Sequence, residues 1–410
     1  MPPIEPSTAS PDRQSQARVL RRPEPTALGG LPDPASSAER SELATARRVV
    51  VKLGTRVLVG DDGRLVPDRL RGVVRVAAEL LRQGREVLLV SSGAVGLGTE
   101  MLALGAVPGD LHSRRACAAV GQSRLMGLYQ ECFAERGILS AQLLLTEEDF
   151  DHRQRYLDLR STVDALLRRG VVPVLNENDA VLHGTMPKKI AGRIFSDNDR
   201  LAALVAAKCD ADLLVLLTDV TGVYDRDPRH HDDAQLLPRI DNPRAVLTGI
   251  DDAPGSTISR GGMRSKVEAA RLASLSGCHA VIACGRDRTA LHRAVAGVDV
   301  GTWFPGVGSL QARRRWIAFA AAPRGVLHLD AGAVEALRRR RASLLPCGVL
   351  RVEGRFERGD VVEMRGPGGE LVGRGLMFYD AEEARAWCRG QPPEGDHNCL
   401  LRRSHVVLES

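Results

Sequence analysis

The feature that most constrains this chain is a repeated couplet: an amphipathic helix pattern, then a short run that is apolar at every position. "PDRLRGVVRVAAELLRQG" precedes "EVLLV", "TVDALLRRG" precedes "VVPVLNEN", "DRLAALVAAKC" precedes "DLLVLLTD", and "SKVEAARLASLSG" precedes "HAVIACG". In the first couplet Leu70, Val73, Val74, Ala77, Leu80 and Leu81 fall at helical spacing. A strand apolar at successive residues has both faces buried, and a helix before each strand supplies the cover. The predicted fold class is therefore α/β, a mostly parallel sheet sandwiched by helices. Ligands of such sheets collect beyond the carboxyl ends of the strands.

The alternation stops near "PGVGSLQARRR", and "GVLRVEGRFERGDVVEMRGPGGELVGRGLM" then reads as short strands broken by Gly and Asp. The expected organisation is a disordered extension over 1–45, rich in Pro, Ser and Ala, and an α/β domain over 46–305. A linker over 306–314, a small β-rich domain over 315–395 and a tail over 396–410 complete it. Residues 1–45 hold no apolar core of a secretory signal, and no apolar run reaches the roughly 20 residues of a membrane helix.

Composition narrows the function. Aromatic residues make up 3% of the chain, so Ala, Val and Leu must fill its core. A formal charge of +6 over 410 residues suits anionic small molecules and is too weak to argue for nucleic acid. Eight cysteines show no C-x-x-C spacing and no disulfide-framework density, as expected of reduced thiols in a cytoplasmic protein. His230 and His231 lack a second ligand pair at zinc spacing, so no metal site is assigned.

The residues just past the strands carry the chemistry. "RVVVKLGT" buries a cation, Lys52, in an apolar strand ahead of Gly54 and Thr55, although the chain has only five lysines among its 57 basic residues. Glycine lets backbone approach a ligand, and turn N–H groups form an anion nest that a lysine ammonium completes. "SSGAVG" places Ser92 and Gly93 in a turn that opens a helix, suited to a carboxylate or phosphate. "NENDAV" and "SDNDRLAAL" gather Asn176, Asn178, Asp179, Asp197, Asn198 and Asp199, and helix capping explains only the second of these stretches. Acceptors of this kind suit the ammonium of an amino acid. "LLVLLTD" delivers Thr218 and Asp219 to the sheet rim. In "RGGMRSK" the Lys266 cation sits in a first helical turn, where the helix dipole prefers anions, so an anionic ligand is expected beside it. P-loop, protein-kinase, G-x-S-x-G and H-E-x-x-H motifs are missing. Two lysines distant in sequence, among anion-binding loops with carboxylates to hold them, point to phosphoryl transfer by another architecture.

In order, "VVKLGT", "SSGAVG", "AAVGQSRLM", "QLLLT", "NENDAV", "SDNDRLAALVA", "LLLTDVTGVYDRDPR" and "RGGMRSK" resemble the glutamate 5-kinase family of amino-acid kinases. The likeness spans about residues 47–390, with "SLLPCGVLRVEGRFERGDVVEM" similar to a PUA domain. The resemblance implies ATP contacts from Lys52, Gly54, Thr55, Thr218, Asp219, Arg260, Gly261, Gly262, Met263, Arg264, Ser265 and Lys266. It implies glutamate contacts from Ser92, Gly93, Asp179 and Asn198, with Asp199 holding the catalytic Lys52 and Lys266. Mg²⁺ riding on ATP, feedback inhibition by proline and a homo-oligomer are implied as well. Asp158 stands where the family tends to show an amide, and Arg260 where a small residue is common. Two alternatives remain at this level: a related kinase acting on another acid, and an RNA-binding protein acting through the PUA-like domain. Against the latter, residues 312–410 carry 17 Arg against 13 Asp and Glu, a mild excess.

Overall fold

The computed structural model describes residues 40–60, 65–146, 148–151, 153–180, 197–228, 230–243, 245–247, 262–307, 323–339, 342–392 and 399–408. Seven strands form the first sheet: β1 (Arg48–Leu53), β2 (Glu86–Ser91), β3 (Ser140–Leu145), β4 (Val172–Glu177), β5 (Leu213–Thr218), β6 (His279–Cys284) and β7 (Thr302–Phe304). Their spatial order is β3-β4-β2-β1-β5-β6-β7, and all pairs are parallel except β6 with β7. The expected mostly parallel sheet is present, with β1 at its centre.

Helices cover both faces. In chain order they are α1 (Ser41–Ala44), α2 (Thr55–Leu58), α3 (Pro67–Arg82), α4 (Ala94–Met101), α5 (Leu111–Ala134), α6 (Glu148–Asp151), α7 (Arg153–Arg168), α8 (Asp197–Lys208), α9 (Met263–Leu275) and α10 (Ala290–Val295). Successive strand residues point to opposite faces. Val49, Val51 and Leu53 accordingly pack with Val74 and Ala77 of α3, Tyr129 and Phe133 of α5, and Leu291 of α10. Val50 faces the other way, into a cluster with Val163 of α7, Ala202 and Ala206 of α8, and Val267 and Ala270 of α9. Both faces being apolar, every residue of such a strand must be. Lys52 shares the parity of Val50, and so it points toward the α8 and α9 side.

Helices α4 and α5 touch backbone to backbone. A Cβ added at Gly98 would lie 1.8 Å from the Cys117 carbonyl oxygen, and one at Gly121 would lie 1.9 Å from that of Ala94. Neither obstacle is a side chain that can swing away, so Gly121→Ala is expected to force the helices apart. The cost should reach or exceed the roughly 1–3 kcal/mol typical of overpacking. A lowered urea midpoint checks this. Because α4 starts two residues after Ser92, the displacement should reach the turn that the family resemblance places at the substrate.

The second sheet contains β8 (Gly325–Leu329), β9 (Val349–Gly354), β10 (Val361–Arg365), β11 (Leu371–Leu376) and β12 (Val406–Leu408), with α11 (Ala331–Arg339) and α12 (Ala381–Cys388). Its order is β12-β11-β10-β8-β9. Val361 and Leu376 join the core cluster on the α8 and α9 side of the first domain.

Two expected boundaries need correction. The tail over 396–410 contributes β12, which pairs antiparallel with β11, and Leu400, Leu401 and Val406 are buried. Three apolar residues separated by a polar turn are sufficient to close that sheet edge. At the other end, residues 40–45 are part of the fold rather than of an extension. Leu43 is buried, and the Arg40 guanidinium donates to the Val300 carbonyl (2.8 Å) and the Pro238 carbonyl (2.7 Å) and pairs with Asp299 (3.0 Å). Most of the expected linker and residues 1–39 lie outside the described residues.

Candidate active site

The site forms where β1, β2, β4 and β5 end. Lys52 is the last but one residue of β1, and its ammonium lies 2.6 Å from Asp199 Oδ1. Lys266, in the first turn of α9, lies 3.3 Å from Asp199 Oδ2 and donates to the Gly262 carbonyl at 3.0 Å. One carboxylate thus gathers two ammonium groups that are far apart in sequence. Asp199 is fully buried in the first turn of α8, and the Ser265 hydroxyl donates to its Oδ2 at 2.7 Å.

Burial alone would push the Asp199 carboxyl up; Lys52 and Lys266 together outweigh it and hold the group below the usual carboxylate range. For Lys52, burial is the largest influence and lowers its pKa from the ordinary lysine value, with Asp199 offsetting only part and Lys266 adding to the fall. The geometry thus sets two lysine side chains against a single carboxylate. Asp199 Oδ2 accepts from Ser265 and Lys266 and Oδ1 is ion-paired with Lys52, so the carboxylate is committed to holding the lysines. Among the described residues no group of three or more His, Cys, Asp or Glu is placed to hold a metal ion.

Gly54 departs from its expected part in an anion nest. Its N–H donates to the Leu217 carbonyl at 3.3 Å, so it extends the sheet. Its lack of a side chain matters for another reason: a Cβ there would stand 3.3 Å from the Leu217 oxygen and 3.6 Å from the Lys52 ammonium. Thr55 opens α2 directly after it. Thr218 closes β5, and its hydroxyl donates to Asp219 Oδ1 at 3.1 Å. Arg56, which sequence reasoning missed, donates to Asp219 Oδ2 at 3.1 Å although the arginine is 81% exposed. Burial raises the Asp219 pKa, but the Arg56 hydrogen bond and neighbouring donors bring it below the ordinary value. Gly262 precedes α9, Met263 packs against the core, and the Ser265 hydroxyl serves Asp199. Arg260 and Gly261 lie outside the described residues.

A second constellation of polar side chains adjoins the first. Asn198 Nδ2 donates to Ser92 Oγ (2.9 Å) and to Asn176 Oδ1 (3.1 Å), and Asn176 Nδ2 donates to Gln122 Oε1 (2.8 Å). Gly93 follows Ser92 with φ of 113°, a left-handed conformation that favours glycine and turns the chain into α4. Tyr129 donates from its hydroxyl to Ser91 Oγ at 2.8 Å and so steadies the end of β2. Asp179 lies in the turn beyond β4 and is partly buried. Asp158 sits on an exposed face of α7, where Gln154 Nε2 donates to it at 3.1 Å. Gln122 was legible only as part of "AAVGQSRLM", with nothing to mark its role.

A paired-lysine anion site beside an amide cluster, at the strand ends of a parallel sheet, fits the chemistry of a kinase for small acids. Residues 47–284 match the amino acid kinase family, and residues 325–394 match the PUA domain. The chain belongs to the amino acid kinase family. It is 44% identical over 347 residues to a glutamate 5-kinase of Rhodopseudomonas palustris, which covers 84% of this chain and 90% of that one. It is 46% identical over 352 residues to the glutamate 5-kinase of Myxococcus xanthus, covering 85% and 91% of the two chains. With the glutamate 5-kinase of Chromohalobacter salexigens it shares 45% identity over 359 residues, covering 87% and 92%.

Proposed function

We propose that this chain transfers the terminal phosphoryl group of ATP to the γ-carboxylate of L-glutamate, giving L-glutamyl 5-phosphate, the first step of proline biosynthesis. The observation that carries this reading is the convergence of Lys52 and Lys266 on Asp199, next to Ser92 and Asn198. A glutamate carboxyl with pKa about 4.3 is already ionised at neutral pH, so no general base is required. The obstacle is repulsion between that carboxylate and the triphosphate. Two unit charges at 4 Å interact by about 4 kcal/mol at an effective dielectric of 20. Cations fixed in advance around the transferring group remove this barrier, the main catalytic contribution in phosphoryl transfer.

In this reading Lys52 and Lys266 contact the phosphate oxygens and Asp199 aims both lysines. Gly54, Thr55, Thr218, Asp219 and the 260–266 segment receive ATP. Ser92, Gly93, Asp179 and Asn198 receive glutamate. Mg²⁺ would neutralise phosphate charge on the nucleotide, and Asp199, paired with both lysines, would not be the residue to hold it. We also take proline as a feedback inhibitor, a homo-oligomer as the working form and the cytoplasm as its place, where the eight free cysteines stay reduced. No described helix is long and apolar enough to cross a membrane.

Incubation with ATP, Mg²⁺ and a panel of acids, with hydroxylamine to trap acyl phosphate, tests the assignment. Glutamate is expected to give the hydroxamate. A product from aspartate or carbamate, with none from glutamate, overturns the substrate.

A further inference from the structure

Asn176 accepts a hydrogen bond at Oδ1 from the Glu177 backbone N–H at 2.9 Å. A backbone N–H can only donate, so this contact fixes which end of the Asn176 amide is oxygen. Its Nδ2 must then face Gln122, which presents Oε1 at 2.8 Å. Asn198 meets the same Asn176 oxygen and can do so only with its own Nδ2, at 3.1 Å. The second use of that Nδ2, toward Ser92 Oγ at 2.9 Å, agrees. Each amide orients the next. The end of the relay is Asn198 Oδ1, buried and without a hydrogen-bond partner among the described residues. A buried acceptor left open is costly unless a ligand donor completes it.

We infer that Gln122 is a positioning residue for substrate: as terminal acceptor of this amide relay it keeps Asn198 Oδ1 turned into the site to receive the α-ammonium of the acid. The inference rests on the proposed glutamate kinase reading and deepens it, because it makes the chain a reader of amino acids rather than of dicarboxylates at large. Gln122 lies on α5, half-buried, and among the described residues its side chain joins this cluster through Asn176. A carboxylate at this position would still accept from Asn176, whereas a thioether of the same length is only a weak acceptor.

The test compares Gln122→Met and Gln122→Glu with the native chain, reading KM for glutamate, KM for ATP and the inhibition constant of glutarate, which lacks the ammonium. In Gln122→Met, glutamate KM is expected to rise about tenfold, the size of a misaligned hydrogen bond to a charged group. ATP KM and glutarate inhibition should stay at their native values. Gln122→Glu should restore glutamate KM. An unmoved glutamate KM in Gln122→Met overturns the role, and so does an equal loss for glutamate and glutarate, the mark of general damage. If the Met variant does not fold, Gln122→Glu decides alone, since a raised glutamate KM there is incompatible with an acceptor role. Native hydroxamate formation is measured in parallel. Its absence overturns the glutamate reading, while its presence with an unmoved KM overturns only the part given to Gln122.

Discussion

Lys266→Arg is expected to keep its fold and lose turnover by about 10²–10³-fold, the loss typical of removing one preorganised donor from a developing negative charge. The substitution preserves the positive charge, which is what makes it informative. The Lys266 ammonium fits between Asp199 Oδ2 at 3.3 Å and the Gly262 carbonyl at 3.0 Å, in a first helical turn where Ser265 is buried and Lys266 partly so. Three donors on one nitrogen can bind Asp199 and the carbonyl and still direct one N–H toward phosphate. A guanidinium is broad and planar, and its fork cannot meet those directions from the same backbone position. If net charge were sufficient, the variant would turn over at nearly the native rate. Steady-state kcat by hydroxamate formation, with thermal unfolding to confirm the fold, separates the two. A kcat within a few-fold of native removes Lys266 from the transfer step.

The sheet was legible because burial on both faces leaves a mark at every residue of a strand, as in "LLVLLT" of β5, where all six residues are buried. Lys52 stood out because a lone cation interrupts such a run, although a lysine can also snorkel from a strand end. Scarcity of lysine alone would have misled: Lys208 is also buried, its ammonium 4.6 Å from the centre of the Tyr156 ring, far from any strand's carboxyl end. Contacts between distant segments left no mark. Gln122 meets Asn176 across 54 positions and Arg56 meets Asp219 across 163, and no local periodicity encodes such pairings. Gly98 and Gly121 read as weak points in helical sequence, yet they permit the backbone-to-backbone contact of α4 with α5. The β12 strand was missed because three residues are too few to show alternation, and Leu400 and Leu401 gain their meaning only by exchanging backbone bonds with Leu344.

Asp199→Asn should be the most damaging single change, through stability and catalysis together. The side chain keeps its shape but loses the charge between two ammonium groups, and removing one partner of a buried ion pair costs about 3–5 kcal/mol. The pH dependence distinguishes this cause from simple misfit. In the native chain the Lys52 pKa is already lowered by burial, and Asp199 is the main influence opposing that fall. Without it, the Lys52 pKa should fall further below the ordinary lysine value. A lysine whose pKa is lower folded than unfolded leaves the unfolded chain with more bound protons, so stability rises with pH between the two values. The destabilisation of Asp199→Asn should therefore narrow as pH is raised from the lowered Lys52 pKa toward the ordinary lysine value, as neutral Lys52 ceases to need a counter-charge. Activity should move the opposite way, falling as pH rises, because the uncharged amine no longer attracts phosphate. Urea titrations and kcat measured across that range check both slopes. A stability gap that stays constant or widens with pH would mean that Asp199 supports the site by packing, and that the two lysines do not depend on its charge.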